Sequence, residues 1–193
     1  MNAVRRCMFV VSAAVAICAH GVAPGEKAPE FKAIDQDGQS WSLEEHLGNT
    51  PIVVYFYPAA MTGGCTKQAC SYRDHLEKNN NPEIMVVGIS GDTPENLKHF
   101  QQAERLNFPL LSDRDGKIAE SFGVPVKKGG KSIKRTIDGR EVELARNHTA
   151  SRWTFVIDAE GVVIYRDSKV MAARDAETVL MFLKEQQMDV VSE

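Results

Sequence analysis

Apolar residues recur along this chain in two rhythms, and their alternation predicts the elements. Pro51-Ile52-Val53-Val54-Tyr55-Phe56-Tyr57 is a near-continuous apolar run rich in β-branched and aromatic residues. That pattern belongs to a central strand buried on both faces, and it stops at Pro58. Ile84–Ser90 repeats it as a second buried strand. Phe31–Asp35 and Ser40–Ser42 are shorter strand candidates around the Asp37-Gly38 turn signal, and Leu110–Leu111 is another. Trp153–Ile157 and Val162–Tyr165 flank Asp158–Gly161 as a late hairpin. Between the strands, Cys65–Lys78 is helical and Asn79–Pro82 ends it. Thr93-Pro94-Glu95 opens a further helix, with Thr93 as N-cap and Pro94 at the first helical position. Leu97, Phe100 and Ala103 form its apolar stripe. Gly116–Phe122 is a short helix and Arg174–Gln187 a terminal one.

Pro24–Pro29 reads as an opening loop, and polar residues 125–150 as a long loop or excursion with its own hairpin. Gly129-Gly130 and Asp138-Gly139 are the turn pairs in that excursion. Strands alternating with helices, plus a late antiparallel hairpin, predict an α/β fold with a mixed central sheet flanked by helices. A cysteine opening the helix after the first long buried strand is the layout of the thioredoxin fold. Residues 24–193 form one domain on this reading, with no repeat or low-complexity tract.

The amino terminus follows neither rhythm. Arg5 and Arg6 precede an apolar run from Cys7 to Ala19 broken only by Ser12. A short basic region followed by such a run is the secretory leader pattern, and the run is short for a membrane span. Residues 1–19 are therefore read as a signal peptide, with residue 21 as the alternative end. The rest is expected to be exported to a periplasmic or other extracytoplasmic compartment, with no stable membrane insertion. An uncleaved anchor and a buried first helix are the other readings.

Composition narrows the class. With 43% hydrophobic and 25% charged residues, neither a disordered nor a collagen-like chain fits. A net charge of -3 gives no basic surface for nucleic acid. Removing the leader takes away Arg5 and Arg6 but no acidic residue, leaving the charge at -5. The cysteines Cys7, Cys18, Cys65 and Cys70 are too few to staple a domain of this size. Only Cys65 and Cys70 survive leader removal.

The chemistry gathers in Pro58-Ala59-Ala60-Met61-Thr62-Gly63-Gly64-Cys65-Thr66-Lys67-Gln68-Ala69-Cys70. Thr62 as N-cap places Cys65 at the third helical position. Unpaired N–H groups and the positive end of the helix dipole face it there and favour thiolate over thiol. Gly63-Gly64 allows a tight turn and room for a small ligand. Alone, a cysteine near a helix start more often fills space as a small hydrophobe; the Pro, Thr and Gly-Gly context reverses that ranking. In an intact helix, residues five apart have Cα atoms about 8.7 Å from one another, beyond the ~7 Å limit for a disulfide. If Cys65 and Cys70 react together, at least one helical turn must unwind. A zinc site lacks a second Cys/His pair at ligand spacing, and the spacing is not C-x-x-C.

Pro58-x3-Thr62-x2-Cys65 resembles the active-site signature of the peroxiredoxins. The added Cys70 is similar to their Q-type branch, the bacterioferritin-comigratory proteins, whose resolving cysteine can lie on the same helix. The likeness runs from about Pro24 to the terminal helix. Where the family has Pro-Gly-Cys this chain has Gly-Gly-Cys, a change in loop stiffness that removes no reactive group. Ser151-Arg152-Trp153-Thr154-Phe155-Val156-Ile157-Asp158 matches the family's arginine before a late strand. Without the resemblance, Arg152 reads as a solvated charge.

The resemblance implies a thiol-dependent peroxidase. Cys65 attacks a peroxide and becomes a sulfenic acid. Thr62 and Arg152 orient the peroxide, backbone N–H groups near Cys65 help, and Pro58 shields the sulfur. Cys70 then forms a disulfide with Cys65, and a thioredoxin-like dithiol reductant restores both thiols. Hydrogen peroxide and organic hydroperoxides are the implied substrates. No cofactor or metal is implied, and the branch suggests a monomer. An extracytoplasmic thiol–disulfide oxidoreductase and a peroxide sensor relaying its disulfide to a partner are the competing functions.

Other groups read as structural. His46, His75, His99 and His148 are expected at the surface or partly packed. Lys127–Lys134 reads as a solvated loop face, and Met171, Met181 and Met188 as packing residues near the last helix. Of Tyr55, Phe56 and Tyr57, two are expected to pack and one to line the site.

Overall fold

The computed structural model describes residues 21–78, 84–137 and 139–191, with side chains in the last helix to 186. The leader therefore lies outside the described residues, as do the helix end expected at 79–82 and the side chain of Met188. Strands β1 (Lys32–Asp35), β2 (Ser40–Ser42), β3 (Ile52–Phe56), β4 (Met85–Ser90), β5 (Leu110–Ser112), β6 (Val126–Ile137), β7 (Arg140–Ala150), β8 (Trp153–Ile157) and β9 (Val163–Asp167) alternate with four helices. These are α1 (Gly63–Lys78), α2 (Pro94–Glu104), α3 (Lys117–Ser121) and α4 (Asp175–Val191). Seven strands form one mixed sheet in the order β2-β1-β5-β4-β3-β8-β9. β4 lies parallel to both β3 and β5, and the remaining pairs are antiparallel.

The continuous apolar run of β3 is explained by burial on both faces. Ile52, Val54 and Phe56 enter one core layer with Trp41, Phe122 and Phe155. Val53 and Tyr55, with Tyr57 beyond the strand, enter the other, where they meet Cys65, Tyr72 and Phe100. Each such buried side chain is worth about 1.5–3 kcal/mol relative to exposure. Helices α1, α2 and α4 cover this second face, and α3 covers the first.

The Thr93 cap is seen directly, its hydroxyl accepting from Asn96 N at 3.2 Å. The stripe on α2 is narrower than expected. Asn96, Leu97 and Phe100 are buried, but Ala103 near the end of the helix is exposed. Met171 and Met181 also stand in solvent, 67% and 56% exposed, and do not pack on α4. Among the described residues, no helix is long and apolar enough to cross a membrane.

The 125–150 excursion is a regular structure. β6 and β7 form a separate antiparallel ribbon from Val126↔Ala150 to Ile137↔Arg140. Gly129-Gly130 is not a turn; it lies within β6, where the register shifts between Lys128 and Lys131. Gly129 takes φ +118 there, a left-handed geometry suited to a bulge. The lysine-rich run is thus a solvated strand, not a loop. Along β7, Leu144, Arg146, His148 and Ala150 are buried at alternate positions, so His148 belongs to the interior, not the surface. Arg146 Nε meets Asp92 Oδ1 at 3.0 Å with both side chains almost fully buried. That contact ties the ribbon to the end of β4.

Candidate functional site

Beyond Phe56 the sheet gives way to a short loop leading into α1. Asp92 holds this loop, its Oδ2 accepting from Ala60 N at 2.8 Å. Arg135 of the ribbon holds it too, Nε donating to Met61 O at 3.0 Å. Met61 adopts φ 56, a left-handed conformation that costs a non-glycine residue roughly 1–2 kcal/mol and persists because its neighbours are fixed. The role of the 125–150 segment is therefore partly to clasp the loop that carries the candidate residues.

Thr62 sits at the N-cap position, its carbonyl accepting the first helical bond from Thr66 N at 2.8 Å. Its hydroxyl does not cap the helix. It donates back to Ala59 O at 2.9 Å. Gly63, Gly64 and Cys65 are the first three helical residues, so Cys65 stands at the third helical position as the Thr62 N-cap predicts. Their N–H groups have no partner within the helix. Pro58 is half-buried where the strand ends.

Cys65 is 2% exposed, and Arg152 Nη2 lies 3.3 Å from its Sγ. The register explains the encounter. Phe56↔Trp153 is the last pair between β3 and β8, so Arg152 leaves the sheet over the Cys65 loop. A Cβ at position 64 would stand 3.4 Å from Arg152 Nη2, an ordinary van der Waals contact, which places the guanidinium directly against the first turn of α1. The solvated-charge reading of Arg152 is thereby excluded.

A relay continues behind the arginine. Its Nη1 donates to Gln68 Oε1. Gln68 Nε2 donates to Asp175 Oδ2 at 2.6 Å, and that oxygen also accepts from Thr154 Oγ1 at 2.8 Å and Tyr72 OH at 2.9 Å. Burial pushes the Asp175 carboxyl up, while these three donors pull it back. Tyr55, Phe56 and Tyr57 are all fully buried. Both tyrosines share the Cys65 layer, and burial pushes their phenols well above the ordinary tyrosine range, so they stay neutral.

Cys70 lies on the same continuous helix as Cys65, and neither is in a disulfide. It is half-buried, with Sγ donating to Glu104 Oε2 at 3.6 Å. Burial pushes its thiol up, and Glu104 adds to this against the opposing charge of Arg73. Arg73 Nη1 donates to Glu104 O at 2.5 Å, stitching this face of α1 to the end of α2. Among the described residues, no group of three His, Cys, Asp or Glu side chains could hold a metal ion.

Five sequence-derived candidates thus divide by position. Thr62 and Cys65 belong to the first turn of α1 and Arg152 reaches it, Pro58 lies half-buried just past the end of β3, and Cys70 stands further along the helix. Gln68, Asp175, Tyr72, Thr154 and Glu104 were not anticipated. Gln68 alone carried a local signal, because residues three apart share a helix face.

Residues 24–166 match the AhpC/TSA family. The chain is 40% identical over 161 residues to Peroxiredoxin Bcp of Escherichia coli strain K12, covering 83% of this chain and 95% of that one. It is 41% identical over 151 residues to the Putative peroxiredoxin Rv2521 of Mycobacterium tuberculosis, covering 77% and 87%. Among solved structures, Peroxidoxin BcpB from Mycobacterium tuberculosis superimposes with a TM-score of 0.69 at 33% identity, over 85% of this chain and 97% of that one. The Bacterioferritin Comigratory Protein of Xanthomonas campestris, studied for its alkyl peroxide reduction activity, aligns with a TM-score of 0.65 at 26% identity, covering 81% and 91%.

Proposed function

The chain belongs to the AhpC/TSA family, and we infer that this thiol peroxidase of the Bcp/Q peroxiredoxin kind attacks with Cys65 and resolves with Cys70. The contact of Arg152 Nη2 with Cys65 Sγ at the start of α1 carries the reading.

The Cys65 thiolate attacks the terminal oxygen of a peroxide. An S–O bond forms as the O–O bond breaks, and the departing oxygen takes a proton to leave as water or an alcohol. Sulfur is oxidised to a sulfenic acid and the peroxide is reduced. Charge moves onto oxygen during this step. Arg152 and the free N–H groups of the first turn are donors already aimed at that place. With its own proton committed to Ala59 O, the Thr62 hydroxyl keeps lone pairs to accept from the peroxide O–H. Pro58 closes the loop side of the sulfur. Hydrogen peroxide and organic hydroperoxides both fit this chemistry, and the alkyl peroxide reduction of the Xanthomonas campestris relative supports the second class.

Cys70 then gives up its proton and attacks the sulfenic sulfur, which loses its oxygen as water and leaves a Cys65–Cys70 disulfide. A thioredoxin-like dithiol protein reduces that bond by exchange and is itself oxidised. Within a regular helix the two Cα atoms are about 8.7 Å apart, too far for a disulfide. The first turns of α1 must unwind, which also frees Cys70 from Glu104. Amide exchange across residues 62–75 is therefore expected to be faster in the oxidised protein than in the reduced one. Equal protection, with the disulfide confirmed by mass spectrometry, overturns the unwinding step.

Arg5-Arg6 followed by the apolar run supports a cleaved leader of residues 1–19 and an extracytoplasmic location, and the likeness to the Q-type branch supports a monomer. Intact mass of the protein taken from its native compartment is expected to match a chain beginning at residue 20; a mass including residues 1–19 overturns the leader. In such a compartment the reductant is a thioredoxin-like protein that works there.

A further inference from the structure

Asp175 opens α4, yet its carboxyl is turned into the molecule, with the residue 2% exposed. One oxygen receives three donors and the other, Oδ1, has no hydrogen-bond partner in the protein. A buried carboxyl with half its capacity unused is unfavourable unless its position serves something else. The helix dipole favours an acid in this first turn, but an exposed acid there would gain the same. The apolar face of α4, with Ala176, Val179 and Leu183, packs without needing a carboxylate.

The donors show what is served. Gln68 and Tyr72 come from α1, and Thr154 from β8 two residues after Arg152. A glutamine amide has an accepting end and a donating end. Because Nε2 is committed to Asp175, Oε1 is the end facing Arg152 Nη1. Reversed, the amide would direct its N–H groups at the guanidinium and push it off its seat. The orientation of Gln68 thus depends on Asp175, and the aim of Nη2 at Cys65 depends on Gln68. Gln68 also lies between Cys65 and Cys70, in the stretch that must unwind.

We propose that Asp175 is a positioning residue: through Gln68 it aims Arg152 at Cys65, and with Tyr72 it pins α1 in its wound form. The same carboxylate then speeds oxidation of Cys65 and restrains delivery to Cys70. This rests on the peroxidase reading above.

The two steps are separable by stopped flow, as a peroxide-dependent phase followed by a peroxide-independent one. Trp153, next to Arg152, provides a fluorescence signal. Asp175→Asn keeps the shape and removes the charge. It is expected to slow the first phase and quicken the second, each about ten-fold, the scale of one hydrogen bond to a charged group. Amide exchange over residues 63–72 of the reduced protein quickens by a similar factor. Gln68→Met, which breaks the relay one residue nearer the sulfur, moves all three readings the same way. Leu183→Ala, two turns along α4, lowers stability but leaves the phases within about two-fold, since it removes packing without touching the relay. The proposal is overturned if Asp175→Asn and Gln68→Met leave both phases at wild-type values, or shift both in the same direction. A wild-type protein with no peroxide-dependent phase would instead defeat the peroxidase reading. Amide exchange in the Asp175 variant then still decides whether the carboxylate pins α1.

Discussion

Cys65→Ser is expected to abolish peroxide consumption, while Cys70→Ser consumes one equivalent and stops. The first loss should reach at least about 10³-fold, because no neighbouring group can replace the attacking sulfur. The second follows from chemistry beyond the first step. A Cys65 sulfenic acid without Cys70 has no intramolecular thiol to condense with, so turnover ends there. Both variants are made with Cys7 and Cys18 already changed to serine, so that no leader thiol substitutes. Rapid mixing with hydrogen peroxide and a thioredoxin-like reductant reads the outcome. Unchanged consumption by Cys65→Ser would remove the peroxidase assignment of this cysteine. Sustained turnover by Cys70→Ser at the wild-type rate with the same thioredoxin-like reductant would instead remove only the resolving role. A disulfide oxidoreductase would behave differently, losing protein-disulfide exchange while showing no fast reaction with peroxide.

The elements of the fold were legible because burial on two faces leaves a strong mark. β3 and β4 show it as uninterrupted apolar runs, and α2 shows its cap and first proline in order. The ribbon of β6 and β7 was obscured for a physical reason. Its buried positions include Arg146 and His148, so the alternation of β7 does not look hydrophobic, and its glycine pair mimics a turn while serving a bulge. The site divides the same way. Thr62, Cys65 and Cys70 are close in sequence, and helix geometry alone places them. Arg152 is 87 residues from Cys65, and only the family resemblance brought it forward. Asp175 gave no signal, because an acid in the first turn of a helix is normally explained by the helix itself.

Arg152 bears the second large effect. Arg152→Met is expected to lower the second-order rate of Cys65 oxidation by about 10²–10³-fold, the usual cost of removing a preorganised donor from a site where charge develops. The geometry explains why Arg152→Lys should recover only part of this. The guanidinium spans two partners at once, Nη1 on Gln68 and Nη2 on Cys65. Its planar fork fixes both directions together, whereas an ammonium is a single point on a flexible stem. Lysine supplies the positive charge near sulfur but cannot hold Gln68 and address the peroxide from the same rigid group. The expected order is therefore wild type, then lysine, then methionine, read as the rate of sulfenic acid formation under excess peroxide. The resolution step should not follow that order, because Cys70 attacks from an unwound helix that has left Arg152 behind. Equal oxidation rates in all three proteins would return Arg152 to a bystander and leave the helix N-terminus as the only source of electrostatic help. A lysine variant as fast as wild type would show that charge alone matters and that the fork to Gln68 does not.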